Sequence, residues 1–263
     1  MMKDFLLEIG IRQNHNLIVH SSLRKIRSAF PNIIPTGIIR NVQEIISKNG
    51  SLIMPAFTYC FKLKEGTPEI FDRLNSPSKV GAIAEAFRTS NNVIRTSSPT
   101  HSFSLWGKIT TEISSNSSPE SPLGKDSVLD WLSKEEDSFI LMLGTNFDSL
   151  SFGHHLEIKA KVPWYDFFPW EYLGKEEIGV SLSGEQSLKE IPGCSKSFTE
   201  FETYLLDNGL IHPKNINELI SSYIPIKLLL EIGVPYFQNN YVRLLCTTGS
   251  CEACDVRRKH FLN

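Results

Sequence analysis

Nowhere in the chain do about 18 apolar residues run together, so it offers no segment for a membrane-crossing helix. Neither sign of charge is in excess: 27 Lys and Arg stand against 29 Asp and Glu, a formal net charge of -2. A nucleic-acid binder needs a basic surplus to neutralise phosphates, so that class is set aside. Cysteine is scarce and odd in number, five in all with three in the last eighteen residues, which does not make a disulfide framework. Reduced thiols are expected. The opening Met1-Met2-Lys3-Asp4-Phe5-Leu6-Leu7-Glu8 carries acids within its apolar stretch and no small-residue cleavage site. It does not read as a secretion signal, and a cytoplasmic location is expected. Internal repeats and a convincing linker are also missing. What remains is 263 residues, 41% hydrophobic, enough to bury a real core. We expect one domain over 1–263 with a helical C-terminal third, about 195–263. Association into a homo-oligomer is left open.

The pattern of the first half is strand, helix, strand. Leu17-Ile18-Val19-His20-Ser21-Ser22-Leu23 is a buried-strand run that closes on hydroxyls; residues 36–47 have helical spacing behind a capping Thr36; and residues 51–58 form a second buried strand stopped by Pro55. Such units build parallel sheets whose ligands gather at the carboxyl ends of the strands. The bend at Ser21 and Ser22 either cradles a phosphate on free backbone N–H groups or merely caps the next helix. Residues 59–79 lack periodicity and read as a lid or binding loop, followed by a helix of small residues over 80–88. The strand at 103–106 is preceded by a turn dense in hydroxyls that contains Ser98, Thr100 and His101. Asp126 or Ser127 caps a helix through Leu132, and a further strand spans 138–143. Six aromatics between Val162 and Leu173 are interleaved with Asp166 and Glu171, a composition that suits core packing, a sugar or a cation. Later, 176–190 reads as a hairpin turning at Gly184; 198–206, 216–223 and 226–232 as helices; and 241–246 as a strand.

The stretch with the most chemistry is Ser151-Phe152-Gly153-His154-His155-Leu156-Glu157. On a helix, three-residue spacing puts His154 and Glu157 one turn apart on one face. A carboxylate on the far nitrogen of an imidazole fixes its tautomer and stabilises the imidazolium, which makes a general base near neutral pH. The same spacing also occurs by chance on many helices. Two other arrangements are open: Cys60 with a His as a covalent acyl-carrying pair, and Cys246, Cys251, Cys254 and His260 as zinc ligands. A single Cys-x-x-Cys is a weak metal signal, so free thiols are the expectation and no metal is expected.

With these motifs in hand the chain resembles the aminoglycoside 3-N-acetyltransferases, the antibiotic N-acetyltransferase family. The resemblance rests on six segments in order: Val19-His20-Ser21-Ser22-Leu23; residues 52–58 with their Met-Pro-x-Phe-Thr core; residues 77–85; Pro99-Thr100-His101-Ser102; Pro122-Leu123-Gly124; and His154-x-x-Glu157. It covers roughly 17–163, and the last hundred residues match weakly. The resemblance implies a three-layer α/β/α sandwich around a mostly parallel mixed sheet, acetyl-coenzyme A as cosubstrate, and an amine of an amino sugar as acceptor. It implies that His20, Ser21, Ser22 and Leu23, with Arg24, Ser98, Thr100 and His101, hold the cofactor, and that His154 and Glu157 carry the base function with Ser151 where the family usually has Thr. Position 155 is a second His where an apolar residue is usual, so the identity of the base stays open at this point. Asp72, Asp166 and Glu171 are candidates to hold ammonium groups of the acceptor. A silent coenzyme A-binding homologue is the remaining alternative.

Overall fold

Neighbouring residues of three strands point into two different cores, and this alternation sets the layers. The computed structural model describes residues 1–189 and 193–262. In β1 (Asn16–Ser21), Leu17 and Val19 face one side and Ile18 the other; in β2 (Ser51–Pro55), Leu52 and Met54 oppose Ile53. The first side is covered by α1 (Met2–Glu8), α2 (Leu23–Ala29) and α3 (Pro35–Ile46). In α3 the residues Ile38, Ile39, Val42, Ile45 and Ile46 recur at helical spacing and all are buried, each worth roughly 1.5–3 kcal/mol of burial. Pro35 opens this helix at its first turn, so Thr36 lies inside the helix and is not its cap.

The 59–79 stretch is not wholly irregular, because β3 (Phe61–Leu63) forms within it. Then come α4 (Ala82–Arg88) on the first face, β4 (Ile94–Arg95), β5 (Phe103–Gly107), α5 (Ile109–Glu112), α6 (Val128–Leu132) and β6 (Ser138–Leu143). Ser127 caps α6 through its hydroxyl on the Asp130 N–H. In β6, Leu141 and Leu143 join the first core while Ile140 and Met142 join the second. That second core is closed by α5, α6, α7 (Ser151–Ala160) and α8 (Phe198–Asp207).

The last third departs most from its expected helical character. It supplies β9 (Lys214–Ile216) and β10 (Leu219–Pro225) where one helix was expected. In β10 the burial alternates, with Leu219 and Ser221 inside and Ile220 exposed, a period of two that a count of apolar residues mistakes for a helix. After it, α9 (Ile226–Leu228), a π-helical turn and α10 (Val234–Asn240) run on into a 3-10 turn at Tyr241–Leu244, where a strand was expected, and α11 (Glu252–Phe261) follows. The hairpin is present as β7 (Lys175–Ser181) and β8 (Gly184–Ser187); residue 190, at its expected end, lies outside the described residues.

The main sheet has the order β4-β5-β2-β1-β6-β10-β9. It lies between two helical layers in an α/β fold, but it is not mostly parallel. Only β1 with β2 and β1 with β6 run parallel, while β5 returns beside β2, β4 beside β5, and β10 beside β6, all antiparallel, as is β9 with β10. The strand-helix-strand rule holds for the centre and fails at both wings. A separate antiparallel sheet, β3-β7-β8, packs Phe61, Phe168 and Leu188 into a small third core. Among the described residues no helix is long and apolar enough to cross a membrane.

Candidate functional site

The three parallel strands end on one side, as their common direction requires, and the chain leaving each of them borders the same cavity. This cavity is about 770 Å³ and takes Val19, His20 and Ser21 from β1, Met54 and Pro55 from β2, and Thr145 just past β6. Gly144 makes the exit from β6 with φ +75, a conformation that favours glycine, and a Cβ there would come within 2.9 Å of Lys25. Seven residues later α7 begins, and its first turn delivers Ser151 and His154 into the cavity wall.

His154 Nδ1 lies 2.7 Å from Glu157 Oε2. An ionised carboxylate can only accept, so Nδ1 carries the hydrogen and Nε2 is left to receive a proton. The other carboxylate oxygen, Oε1, accepts from Trp164 Nε1 at 2.9 Å and sits 3.7 Å from the Arg257 guanidinium. Arg257 is itself 1% exposed and lies over the Trp164 ring. Burial works against ionisation of Glu157, but Arg257 first, then the hydrogen bonds from His154 and Trp164, outweigh it and hold the carboxyl below its usual range. The adjacent His155 has a different fate. It is fully buried, donates from Nδ1 to the Leu123 carbonyl at 2.8 Å, and burial lowers its pKa to about 4. It does not border the cavity.

Of the other expected site residues, His20 and Ser21 line the cavity, Ser22 caps α2 on the Lys25 N–H, and Leu23 and Arg24 lie in that helix away from the cavity. Arg24 is exposed and pairs with Glu218 at 3.2 Å. His20 is kept neutral by burial, its pKa lowered to about 4, and its Nε2 has no hydrogen-bond partner among the described residues. Thr145 Oγ1, also in the wall, is likewise unpartnered there. Both are buried polar atoms of residues in the cavity wall. His101 lines the cavity, edge-on to Phe57, Tyr59 and Phe61, with its pKa lowered to about 3 by burial and then by His154 and Lys175. Thr100 and Ser98 stand behind it: Thr100 Oγ1 is 3.0 Å from His101 Nδ1, and Ser98 Oγ accepts the His101 N–H at 3.2 Å.

Asp72, Asp166 and Glu171 are outside the cavity wall. Asp72 is spent on its own turn, accepting from Leu74 and Asn75; Asp166 is exposed; Glu171 pairs with Lys64 at 2.7 Å. The acids that do border the cavity are Asp148 and Glu252, together with the aromatics Tyr59, Trp170 and Tyr172. No spacing rule would have found the two acids, since they come from the 144–150 loop and the start of α11. Cys60 is 2% exposed, does not border the cavity, and burial raises its pKa, which suits a structural thiol more than a nucleophile. The C-terminal thiols assemble differently from the expected set. Cys246, Cys251 and Cys254 meet Cys194, whereas His260 stacks on Phe167 at 4.6 Å.

A family model described as aminoglycoside 3-N-acetyltransferase matches residues 18–238. A curated relative, the SPbeta prophage-derived aminoglycoside N(3')-acetyltransferase-like protein YokD of Bacillus subtilis (strain 168), is 24% identical over 220 residues, 70% of this chain and 80% of its own. The apoenzyme structure of aminoglycoside acetyltransferase AAC(3)-IVa superposes with a TM-score of 0.78 at 23% identity, covering 98% of this chain and 95% of that one. The AAC-IIIb structure, a binary complex with CoASH, gives 0.71 at 18% identity, covering 90% and 95%. At these identities the two structures speak to the shared fold.

Proposed function

Since the chain belongs to the aminoglycoside 3-N-acetyltransferase family, we propose that it transfers an acetyl group from acetyl-coenzyme A to an amine of an amino-sugar acceptor, with His154 as general base. The observation that carries this reading is the buried His154–Glu157 pair opening onto the same cavity as His20 and Ser21. The residues fit the cosubstrate: an apolar wall from Val19, Met54, Phe57, Val80 and Ala84 suits a pantetheine arm, and His20, Ser21 and Thr145 in the same wall bring polar groups for its amides. Bound acetyl-coenzyme A supplies a thioester, an acyl group activated toward attack by nitrogen.

An amine on a sugar is mostly protonated at neutral pH and cannot attack until a proton leaves. His154 Nε2 accepts that proton, directly or through a water, while Nδ1 holds its hydrogen bond to Glu157. Glu157 stabilises the imidazolium, and Arg257 keeps Glu157 ionised for that task. A base of this kind is worth about 10²–10⁴ in rate. The negative oxygen of the tetrahedral adduct needs donors, and Ser151, which carries a hydroxyl, stands at the cavity wall. One such donor is worth about 10²–10³. His154 then returns its proton to the departing sulfur, and the attacking nitrogen gives up its remaining extra proton to solvent, so that ammonium and thioester become amide, thiol and one released proton. Asp148 and Glu252 provide negative charge for the remaining ammonium groups of an acceptor, and Tyr59, Trp170 and Tyr172 provide faces for its rings.

Release of coenzyme A is measured against a panel of aminoglycosides and nucleotide-linked amino sugars, with the His154→Ala variant alongside. At least one amine is expected to be acetylated, and the variant is expected to lose about 10²–10⁴ of kcat while binding coenzyme A as before. Undiminished turnover by the variant removes the base role. Failure of the wild type to bind acetyl-coenzyme A in calorimetry removes the activity altogether.

A further inference from the structure

Four of the five cysteines come together from three separate parts of the chain. Cys194 precedes α8, Cys246 follows the 3-10 turn, and Cys251 and Cys254 sit at the start of α11, one turn apart. The Sγ atoms of all four lie within 4.8 Å of one another, and Cys194 and Cys246 are 3.6 Å apart, with all four free. A sulfur tetrahedron around one zinc, at about 2.3 Å from each sulfur, has edges of about 3.8 Å. Ordinary core packing has no reason to select four thiols and put every pair near that distance. We propose that Cys194, Cys246, Cys251 and Cys254 form a structural zinc site of the four-thiolate type.

The surroundings are arranged as such a site requires. Four thiolates and one Zn²⁺ leave a charge of two minus, and the N-terminal end of α11, which carries Cys251 and Cys254, is the end of a helix that favours negative charge. The Lys196 N–H points to Cys194 Sγ at 3.4 Å, a backbone donor to a ligand sulfur. Arg258 ties the Cys246 carbonyl at 2.6 Å to the same helix. Binding exchanges four S–H bonds for four Zn–S bonds and releases four protons to solvent, with no change of oxidation state.

The site is also placed to matter for the cleft. Cys194, Cys251 and Glu252 border the cavity, and one turn beyond Cys254 the same helix carries Arg257, the partner of Glu157. The zinc therefore fastens α11 across the cavity and holds Arg257 beside the catalytic pair. This last consequence rests on the acetyl-transfer reading; the metal assignment does not, because metal content and spectra are read without substrate.

The full chain is purified under reducing conditions and its metal content measured by mass spectrometry, then zinc is exchanged for Co²⁺. One zinc per chain is expected, with the visible bands and ultraviolet charge transfer of a tetrahedral cobalt thiolate. Cys194→Ser and Cys254→Ser are expected to lose most of the metal, while Cys60→Ser keeps it. Zinc-depleted protein is expected to melt at a lower temperature and to recover on adding Zn²⁺. Wild-type protein that holds less than about a tenth of a metal ion per chain and shows no cobalt thiolate bands on titration overturns the site. So does a disulfide found among these four cysteines in the reduced preparation.

Discussion

Two consecutive histidines, His154 and His155, end in unlike surroundings because consecutive helix positions point about 100° apart. One turns to the cavity and its carboxylate, the other to the core and the Leu123 carbonyl. The difference has a measurable consequence in acid. His155, His20 and His101 have folded pKa values lowered from 6.5 to about 4, about 4 and about 3 by burial. Between those values and 6.5 the unfolded chain binds more protons than the folded one, so stability rises with pH across this window and is lost on acidification from 6.5 downward. Each such histidine costs roughly 1–2 kcal/mol by pH 5. The depressed Glu157 carboxyl acts in the same direction but only below its ordinary value of 4.5, and so does not confuse the upper part of the window. The melting temperature of the wild type is expected to fall between pH 7 and pH 5. His155→Gln, which can still donate to Leu123, should lessen that fall, and a pH dependence unchanged by the substitution contradicts the buried neutral histidine. The sequence made the His154–Glu157 pair legible because both residues belong to one helix, where spacing is geometry. Asp148, Glu252 and Cys194 were illegible because each reaches the site from a separate segment, and only the fold makes them neighbours.

Helix α7 owes its position to what one of its residues lacks. Gly153 sits one place before His154, and a Cβ there would overlap the Phe198 ring at the start of α8. Phe198 is fully buried and lies edge-on to the His154 ring at 5.0 Å, so the close approach of α8 is also what seats the imidazole. Gly153→Ala should raise the intrinsic helix propensity by about 1 kcal/mol and still destabilise the protein, because displacing an aromatic ring from a packed core costs about 1–3 kcal/mol and more where backbone must shift. The expected result is a lower denaturant midpoint together with a fall in kcat larger than any change in coenzyme A affinity. A variant at least as stable and as active as the wild type would mean that α7 and α8 have room to part. From sequence, Gly153 reads as a candidate helix start; its packing against a ring 45 residues later is something no local pattern conveys.

At the scale of the whole molecule, the sheet order places the last third of the chain beside the strand that feeds the site. β10 pairs with β6 along Leu143 to Phe139, so the tail covers an edge that would otherwise expose unpaired backbone next to β1. Trp164 reinforces the connection, packing on Tyr241 and Phe261 from the tail while its indole N–H holds Glu157. A strand-helix-strand reading of the first half is sound for β1, β2 and β6, where crossover helices supply 3.6-residue periodicity, and silent on the tail, where short strands and broken helices give no clear period. We propose on this basis that residues 1–262 unfold as one cooperative unit and that the tail is no appendage. Circular dichroism and tryptophan fluorescence followed together in denaturant should trace one coincident transition, since Trp164 packs on the tail while Trp106, Trp131 and Trp170 add signals from the rest of the chain. Deleting residues 214–263 should then not leave a folded core, for it removes β10, Arg257 and both aromatic partners of Trp164 at once. A stable truncated chain with native-like melting, or two separated transitions in the full one, would show instead that the sheet stands without its last strands and that the Glu157 carboxylate is held by the first half alone.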